Sequence, residues 1–198
     1  MKLIIATRNA GKVREFKRML EDLPVEILSA TEAGVVGEAE ETGGSFEENA
    51  CLKAAYVARQ TGEIAVADDS GICVDALSGA PGIYSARYAG DHGDDKANND
   101  KLLGALRGVP EERRGAHFAC AIACVHPDGR SFTVLGRCEG RIGFAPAGSG
   151  GFGYDPIFYR DGVSFGEMTP EEKDRVSHRG QALRAFAARF RQELEGER

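Results

Sequence analysis

The sequence predicts an α/β fold built on a mixed sheet flanked by helices. Short apolar runs suited to buried strands, at residues 3–6 and 64–67, alternate with stretches of helical periodicity. Residues 118–125 and 132–138 flank Pro127-Asp128-Gly129, as in an antiparallel hairpin inserted among parallel-type strands. Near the end, Leu183, Phe186, Ala187, Phe190 and Leu194 form one apolar helical stripe.

Residues 3–6 read as the first strand and Thr7-Arg8-Asn9-Ala10-Gly11-Lys12 as a polar turn. Val13, Phe16, Met19, Leu20 and Leu23 then recur at helical spacing, and Pro24 closes that helix. Residues 25–28 suit a short strand, and the acidic, Gly-rich stretch 34–44 suits a loop. Ser45-Phe46-Glu47-Glu48 reads as a capping box, in which the Ser hydroxyl takes an orphan amide and Glu48 reaches back. The Ala-rich helix behind it runs to Gln60, with Gly62 just past its end. The apolar run 64–67 ends in Asp68-Asp69-Ser70-Gly71, two adjacent carboxylates and a Gly turn, before a second run, Ile72-Cys73-Val74. Ala80-Pro81-Gly82 marks a turn, and Leu102, Leu103 and Leu106 belong to a further helix. Thr169-Pro170-Glu171-Glu172 starts another, with Thr as cap, Pro at the first position and Glu at the third.

At 198 residues and 42% hydrophobic, the chain suits a single domain spanning 1–198 or two tightly joined lobes. No apolar run approaches the roughly 20 residues of a spanning helix. The N-terminal apolar stretch runs straight into polar residues, unlike a signal peptide, so the expected setting is cytoplasmic, with no membrane partner. A formal charge of −6 argues against a nucleic-acid partner, which needs a basic face. It still allows a small anion held by a few focused cations. The five cysteines, Cys51, Cys73, Cys120, Cys124 and Cys138, are odd in number and lack a CxxC pair. They read as small buried apolar residues in a reducing compartment.

Several segments could carry chemistry, and each also has a plain structural explanation. Asp68-Asp69 at a strand end could hold a hard cation through oxygen and position a water, or form a solvated turn. Gly11-Lys12 could offer helix-start amides and a point charge to phosphate, with Thr7 and Asn9 adding hydrogen bonds, or be a turn. It is no Walker motif, having one Gly and Val13 in place of the metal-binding hydroxyl. Glu40-Glu41 could supply a third carboxylate for Mg²⁺, or lie in an acidic loop; Lys53 could meet phosphate, or be an exposed helix lysine. Gly148-Ser149-Gly150-Gly151-Phe152-Gly153 matches GxGxxG, but Asp155-Pro156 follows at once and forbids the helix a dinucleotide fingerprint requires. What remains is a Gly loop delivering Phe152, Tyr154 and Asp155, whose aromatics could stack on a base or pin the loop to the core. Ser177 could cap the last helix, with His178 and Arg179 aimed at a base carbonyl or phosphate, or merely at the surface. Lys173 adds positive charge one turn earlier. No nucleophile elbow and no His/Cys metal spacing is present.

The motifs occur in one order: Thr7 to Lys12, Glu40-Glu41-Thr42-Gly43, Ser45-Phe46-Glu47-Glu48-Asn49-Ala50, Ala67-Asp68-Asp69-Ser70-Gly71, Ala80-Pro81-Gly82-Ile83-Tyr84-Ser85-Ala86-Arg87-Tyr88, Gly151-Phe152-Gly153-Tyr154-Asp155-Pro156 and Ser177-His178-Arg179-Gly180. Together they resemble the noncanonical purine nucleoside triphosphate pyrophosphatases, the inosine and xanthosine triphosphate pyrophosphatases, over nearly the whole chain. Arg8 departs from the Gly or His such proteins often carry there. The resemblance implies an elongated two-lobed fold with a nucleotide cleft between lobes, a homodimer, and Mg²⁺-dependent hydrolysis of dITP, ITP and XTP to monophosphate and pyrophosphate. It implies that Thr7, Arg8, Asn9, Ala10, Gly11, Lys12 and Lys53 hold the triphosphate. It implies that Glu40 and Asp69 hold Mg²⁺, that Asp69 is the general base, and that Ser70, Phe152, Gly153, Tyr154, Asp155, Lys173, His178 and Arg179 contact the nucleotide. Two rivals keep the same site: a non-catalytic nucleotide sensor, and a metal-dependent phosphomonoesterase that would release phosphate.

Overall fold

A computed structural model describes residues 1–91 and 93–196. The main elements are β1 (Lys2–Ile5), α1 (Ala10–Met19), β2 (Glu26–Ser29), α2 (Phe46–Thr61), β3 (Ile64–Val74), α3 (Asp95–Ala105), β4 (Gly115–Val125), β5 (Ser131–Ile142), β6 (Phe158–Arg160), β7 (Val163–Ser164), α4 (Pro170–Val176) and α5 (His178–Gly196). The seven strands form one mixed sheet in the order β2-β1-β3-β4-β5-β6-β7. Among the described residues no helix is long and apolar enough to cross a membrane. All five cysteines are free thiols; burial pushes those of Cys120 and Cys124 up to about 12.

The chain divides into two compact units. The first comprises Met1–Asp69, Cys120–Gly136 and Arg179–Arg198. Here β1 pairs in parallel with β2 and β3, so each connection needs a crossover, supplied by α1 and α2. Successive strand residues face opposite ways and give the unit two cores. Leu3, Ile5, Val66, Cys120 and Ile122 pack on one face with Phe16 of α1 and Leu183, Phe186 and Phe190 of α5. Ile4, Ala65, Ala67, Ala121 and Ala123 pack on the other with Ala50, Ala54 and Val57 of α2, whose small residues let the helix lie close to the sheet.

The second unit comprises Ser70–Ala119 and Arg137–His178. Its core joins Ile72 and Val74 to Leu102 of α3, to Leu106 at the helix C-cap and to an aromatic group. In that group Phe118 lies 4.5 Å from Phe158, and Phe158 meets Phe165 edge-on at 4.9 Å. Thr169 caps α4 with a complete capping box, Pro170 at its first position and Glu172 reaching back to the Thr169 N–H.

Three local expectations need correction. α1 begins at Ala10, because Asn9 Oδ1 accepts the Lys12 N–H at 3.0 Å and caps it; Gly11 and Lys12 lie inside the helix. Ser45 caps α2, but Glu48 takes the Gly44 N–H at 2.7 Å and not that of Ser45, so the box closes one residue early. Most consequentially, β3 does not end at the two aspartates. It runs unbroken through Asp68, Asp69, Ser70 and Gly71 to Val74.

Candidate active site

Because β3 continues through them, Asp68 and Asp69 point to opposite faces of the sheet. Asp68 follows the parity of Val66 toward α1 and α5; Asp69 follows that of Ala65 and Ala67 toward α2. The two carboxylates are therefore not a side-by-side pair, and each acquires its own partners.

Asp68 is fully buried. Its Oδ2 accepts from Lys12 Nζ at 2.9 Å and from Arg179 Nε at 3.0 Å. Arg179 in turn reaches Glu15 Oε2 with Nη1 at 2.8 Å. Burial alone would raise the Asp68 carboxyl, but Lys12, Arg179 and Lys53 outweigh it and hold the group well below the carboxylate range. The same carboxylates, Asp68 before Glu15, outweigh burial at Arg179 and keep it charged. Lys12 and Glu15 are three residues apart in α1 and so share a face.

Asp69 is held by a second helix. Lys53 Nζ donates to Asp69 Oδ1 at 2.8 Å, and Asn49 Nδ2 donates to Oδ2 at 3.3 Å. Asn49 and Lys53 stand four apart in α2, so one helix face takes both oxygens. Asn49 Oδ1 also accepts the Gly43 N–H at 2.8 Å, tying the preceding loop to the site. Lys53 donates a further bond to Glu41 Oε1 at 3.1 Å. Burial pushes the Asp69 carboxyl up, and Lys53 pulls against it. Asp69 is thus the carboxylate more ready to take a proton, and Asp68 the one locked as an anion.

Of the remaining phosphate candidates, Thr7 Oγ1 accepts the Asn9 N–H at 3.2 Å, and Ala10 and Gly11 form the first turn of α1. Arg8 turns toward the loop after β2, donating to the Gly37 carbonyl at 3.0 Å and pairing with Glu38 at 3.4 Å. Glu40 lies exposed on that loop, whereas Glu41 reaches Lys53. Arg179, expected at a base, has its guanidinium on Asp68 and Glu15. It belongs first to the ion network of the acids, because a buried guanidinium needs carboxylate partners.

The second unit builds a different site around its Gly loop. Lys173, nearly fully buried, donates to Asp155 Oδ2 at 2.7 Å and lies 4.5 Å over the Phe152 ring. The same Asp155 oxygen accepts the Phe152 N–H at 2.8 Å. Gly151 has φ +74°, and a Cβ there would collide with Asp155 Oδ2. The Tyr154 hydroxyl donates to the Ser85 carbonyl at 2.8 Å. His178 stacks on Phe118 at 4.5 Å, and Ser70 is half-buried on β3. Phe152, Asp155 and Lys173 therefore act as one cluster, with Gly153 and Tyr154 on the same loop.

Glu15, Asn49, the tie of Glu41 to Lys53, and the α3 residues Asp95 and Asn99 that grip Gly153 emerge only in the structure. Helical spacing carried the signal for two of them: Glu15 lies one turn from Lys12 and Asn49 one turn from Lys53.

A hard divalent cation suits the first unit's donor set, which is oxygen only. The Lys53 ammonium already occupies a cation's place between Glu41 Oε1 and Asp69 Oδ1. Among the described residues no group of three or more His, Cys, Asp or Glu is arranged to hold a metal ion alone. Mg²⁺ needs none, since it binds through one or two carboxylates together with substrate phosphates and water.

Residues 3–189 match the Ham1 family. The chain belongs to that family. A Streptomyces coelicolor protein named dITP/XTP pyrophosphatase is 51% identical over 197 residues, covering 98% of each chain. A Yersinia pseudotuberculosis protein of the same name is 52% identical over 92% of this chain and 94% of its own. Among solved structures, the Ham1 protein of Staphylococcus aureus is similar at 39% identity and TM-score 0.85, covering 100% of both chains. A Mycobacterium abscessus nucleoside-triphosphatase, titled dITP/XTP pyrophosphatase, is similar at 51% identity and TM-score 0.76, covering 94% of this chain and 98% of its own. The α/β architecture with its mixed sheet is thus that of the Ham1 proteins.

Proposed function

We propose that this Ham1-family chain hydrolyses noncanonical purine nucleoside triphosphates (dITP, ITP and XTP) to the monophosphate and pyrophosphate, with Mg²⁺, as a cytoplasmic homodimer. The observation that carries the reading is Asp69, a buried carboxylate fixed through both oxygens by one face of α2 and bonded there to Lys53, a lysine that would meet phosphate. The names of relatives about 50% identical along nearly the whole chain support the same substrate class.

The charge balance explains how the site could accept such a ligand. Lys12 and Lys53 are compensated by Asp68, Asp69 and Glu41. A triphosphate with its metal ion brings anions for the lysines and a cation for the carboxylates, so both sets exchange partners without leaving a buried charge alone. Glu40 and Asp69 would hold Mg²⁺, which when bound neutralises triphosphate charge. The start of α1, from Asn9 to Lys12, and Lys53 would orient the phosphates, and Asp69 would take the proton of the attacking water. Phe152 would stack on the base, with Lys173, Asp155, Ser70, His178 and Arg179 around the nucleotide.

The test of substrate class is kcat/KM across dITP, ITP, XTP, ATP and GTP with Mg²⁺. The first three are expected to lead; equal values for all five would overturn the reading. Lys12→Ala is expected to raise KM for ITP and also lower kcat, because its ammonium faces phosphate charge in ground and transition states alike. Kinetics identical to wild type would show the start of α1 to be structural only. Light scattering at micromolar concentration is expected to give a dimer mass, and a monomer mass would contradict the assembly.

A further inference from the structure

α3 grips the Gly loop at one residue from both sides. Asp95 Oδ2 accepts the Gly153 N–H at 2.7 Å, and Asn99 Nδ2 donates to the Gly153 carbonyl at 3.0 Å. Asp95 and Asn99 are four residues apart, stacked on one face of the helix. The Gly153 N–H belongs to the peptide shared with Phe152, and its carbonyl to the peptide shared with Tyr154. Two bonds therefore fix both peptide planes around a residue at φ +61°, the residue type with most freedom to lose. Phe152, next along, is the ring beneath Lys173, and Tyr154 on the other side is anchored at Ser85.

Asn99 is poorly explained as a packing residue. It is only 8% exposed, and its Oδ1 is buried with no hydrogen-bond partner among the described residues. An orphaned buried oxygen weakens a fold, and an apolar side chain of similar size would not carry one. What Asn99 provides is the bond to Gly153.

We propose that Asp95 and Asn99 are positioning residues for base selection: by fixing the peptides around Gly153 they hold the Phe152 platform in one orientation, so that it accepts a 6-oxo purine lacking a 2-amino group and does not adjust to adenine or guanine. This rests on the pyrophosphatase reading above. A platform that cannot shift rejects a misfitting base, whereas a loosened one repacks around it.

The experiment measures kcat and KM for ITP, ATP and GTP, with melting temperature, on wild type, Asn99→Leu and Asp95→Ala. Asn99→Leu is expected to change the melting temperature little, since removal of the orphan oxygen offsets the lost bond to the Gly153 carbonyl. In both variants KM for ITP should rise with kcat little changed, and the ITP-over-ATP and ITP-over-GTP ratios of kcat/KM should fall by about tenfold or more. Unchanged ratios in both variants would overturn the proposal. So would a collapse of the Asn99→Leu melting temperature, which would make Asn99 a structural residue. If wild type itself fails to convert ITP, the pyrophosphatase reading fails instead, and the two failures are told apart by the wild-type arm.

Discussion

Asp69→Asn is expected to lower kcat for ITP by about 10²–10⁴-fold, the usual contribution of a general base, while nucleotide binding survives. The amide keeps the shape of the carboxylate, so the bond from Asn49 and the packing on α2 can persist in altered form. It removes the negative charge that meets Lys53 and the lone pair that would take a proton. Burial pushes the Asp69 carboxyl up, so this group has more proton affinity than its neighbour, which is held down by Lys12 and Arg179. Steady-state kinetics at saturating Mg²⁺ with a binding titration separate the two effects. A variant with wild-type kcat would show that another group activates the water.

Arg179→Ala is expected to cost about 3–5 kcal/mol of stability, the range for breaking a buried ion pair by removing one partner. For a chain of this length that is a fall of roughly 6–20 °C in melting temperature. The guanidinium is 3% exposed, and its loss takes from Asp68 and Glu15 the cation they meet at 3.0 and 2.8 Å. The pH dependence has a definite sign. The folded Asp68 carboxyl lies below its ordinary 3.8, so its stabilisation is complete above that value and drains as pH falls below it. The gap in melting temperature between wild type and variant is therefore expected to be widest near neutral pH and to narrow below about pH 4. Equal melting temperatures at pH 7 would remove Arg179 from the ion network. Because this variant disturbs the acids, base selectivity measured on it would mix two effects, which makes Asn99→Leu the cleaner probe of the base.

The sequence carried the architecture well where periodicity was unambiguous. The hairpin expected at 118–125 and 132–138 appears as β4 and β5, a few residues longer at its ends. The capping signal at Thr169 was literal, and both its bonds form. The errors came where polar residues sit inside regular structure. Asn9 starts α1 within what composition marks as a turn. Asp68 to Gly71 read as a loop by residue type, yet they continue β3, and the carboxylates of Asp68 and Asp69 find cations in three different helices. That continuation decides the site, since alternation along a strand sends two adjacent acids to opposite faces. Phe152, Asp155 and Lys173 could be named from the sequence, but not the α3 residues holding their loop. Asn99 lies 54 positions from Gly153, and no local pattern reports such a bond.

The most direct test is product analysis. Purified protein is incubated with ITP and Mg²⁺, and nucleotide and phosphate products are separated. IMP and pyrophosphate are expected in equal amounts, with no IDP and no early inorganic phosphate, and Asp69→Asn is expected to form neither product at a comparable rate. Release of inorganic phosphate in place of pyrophosphate would make the site a phosphomonoesterase. Tight ITP binding without turnover would make it a sensor, and either result would contradict the account.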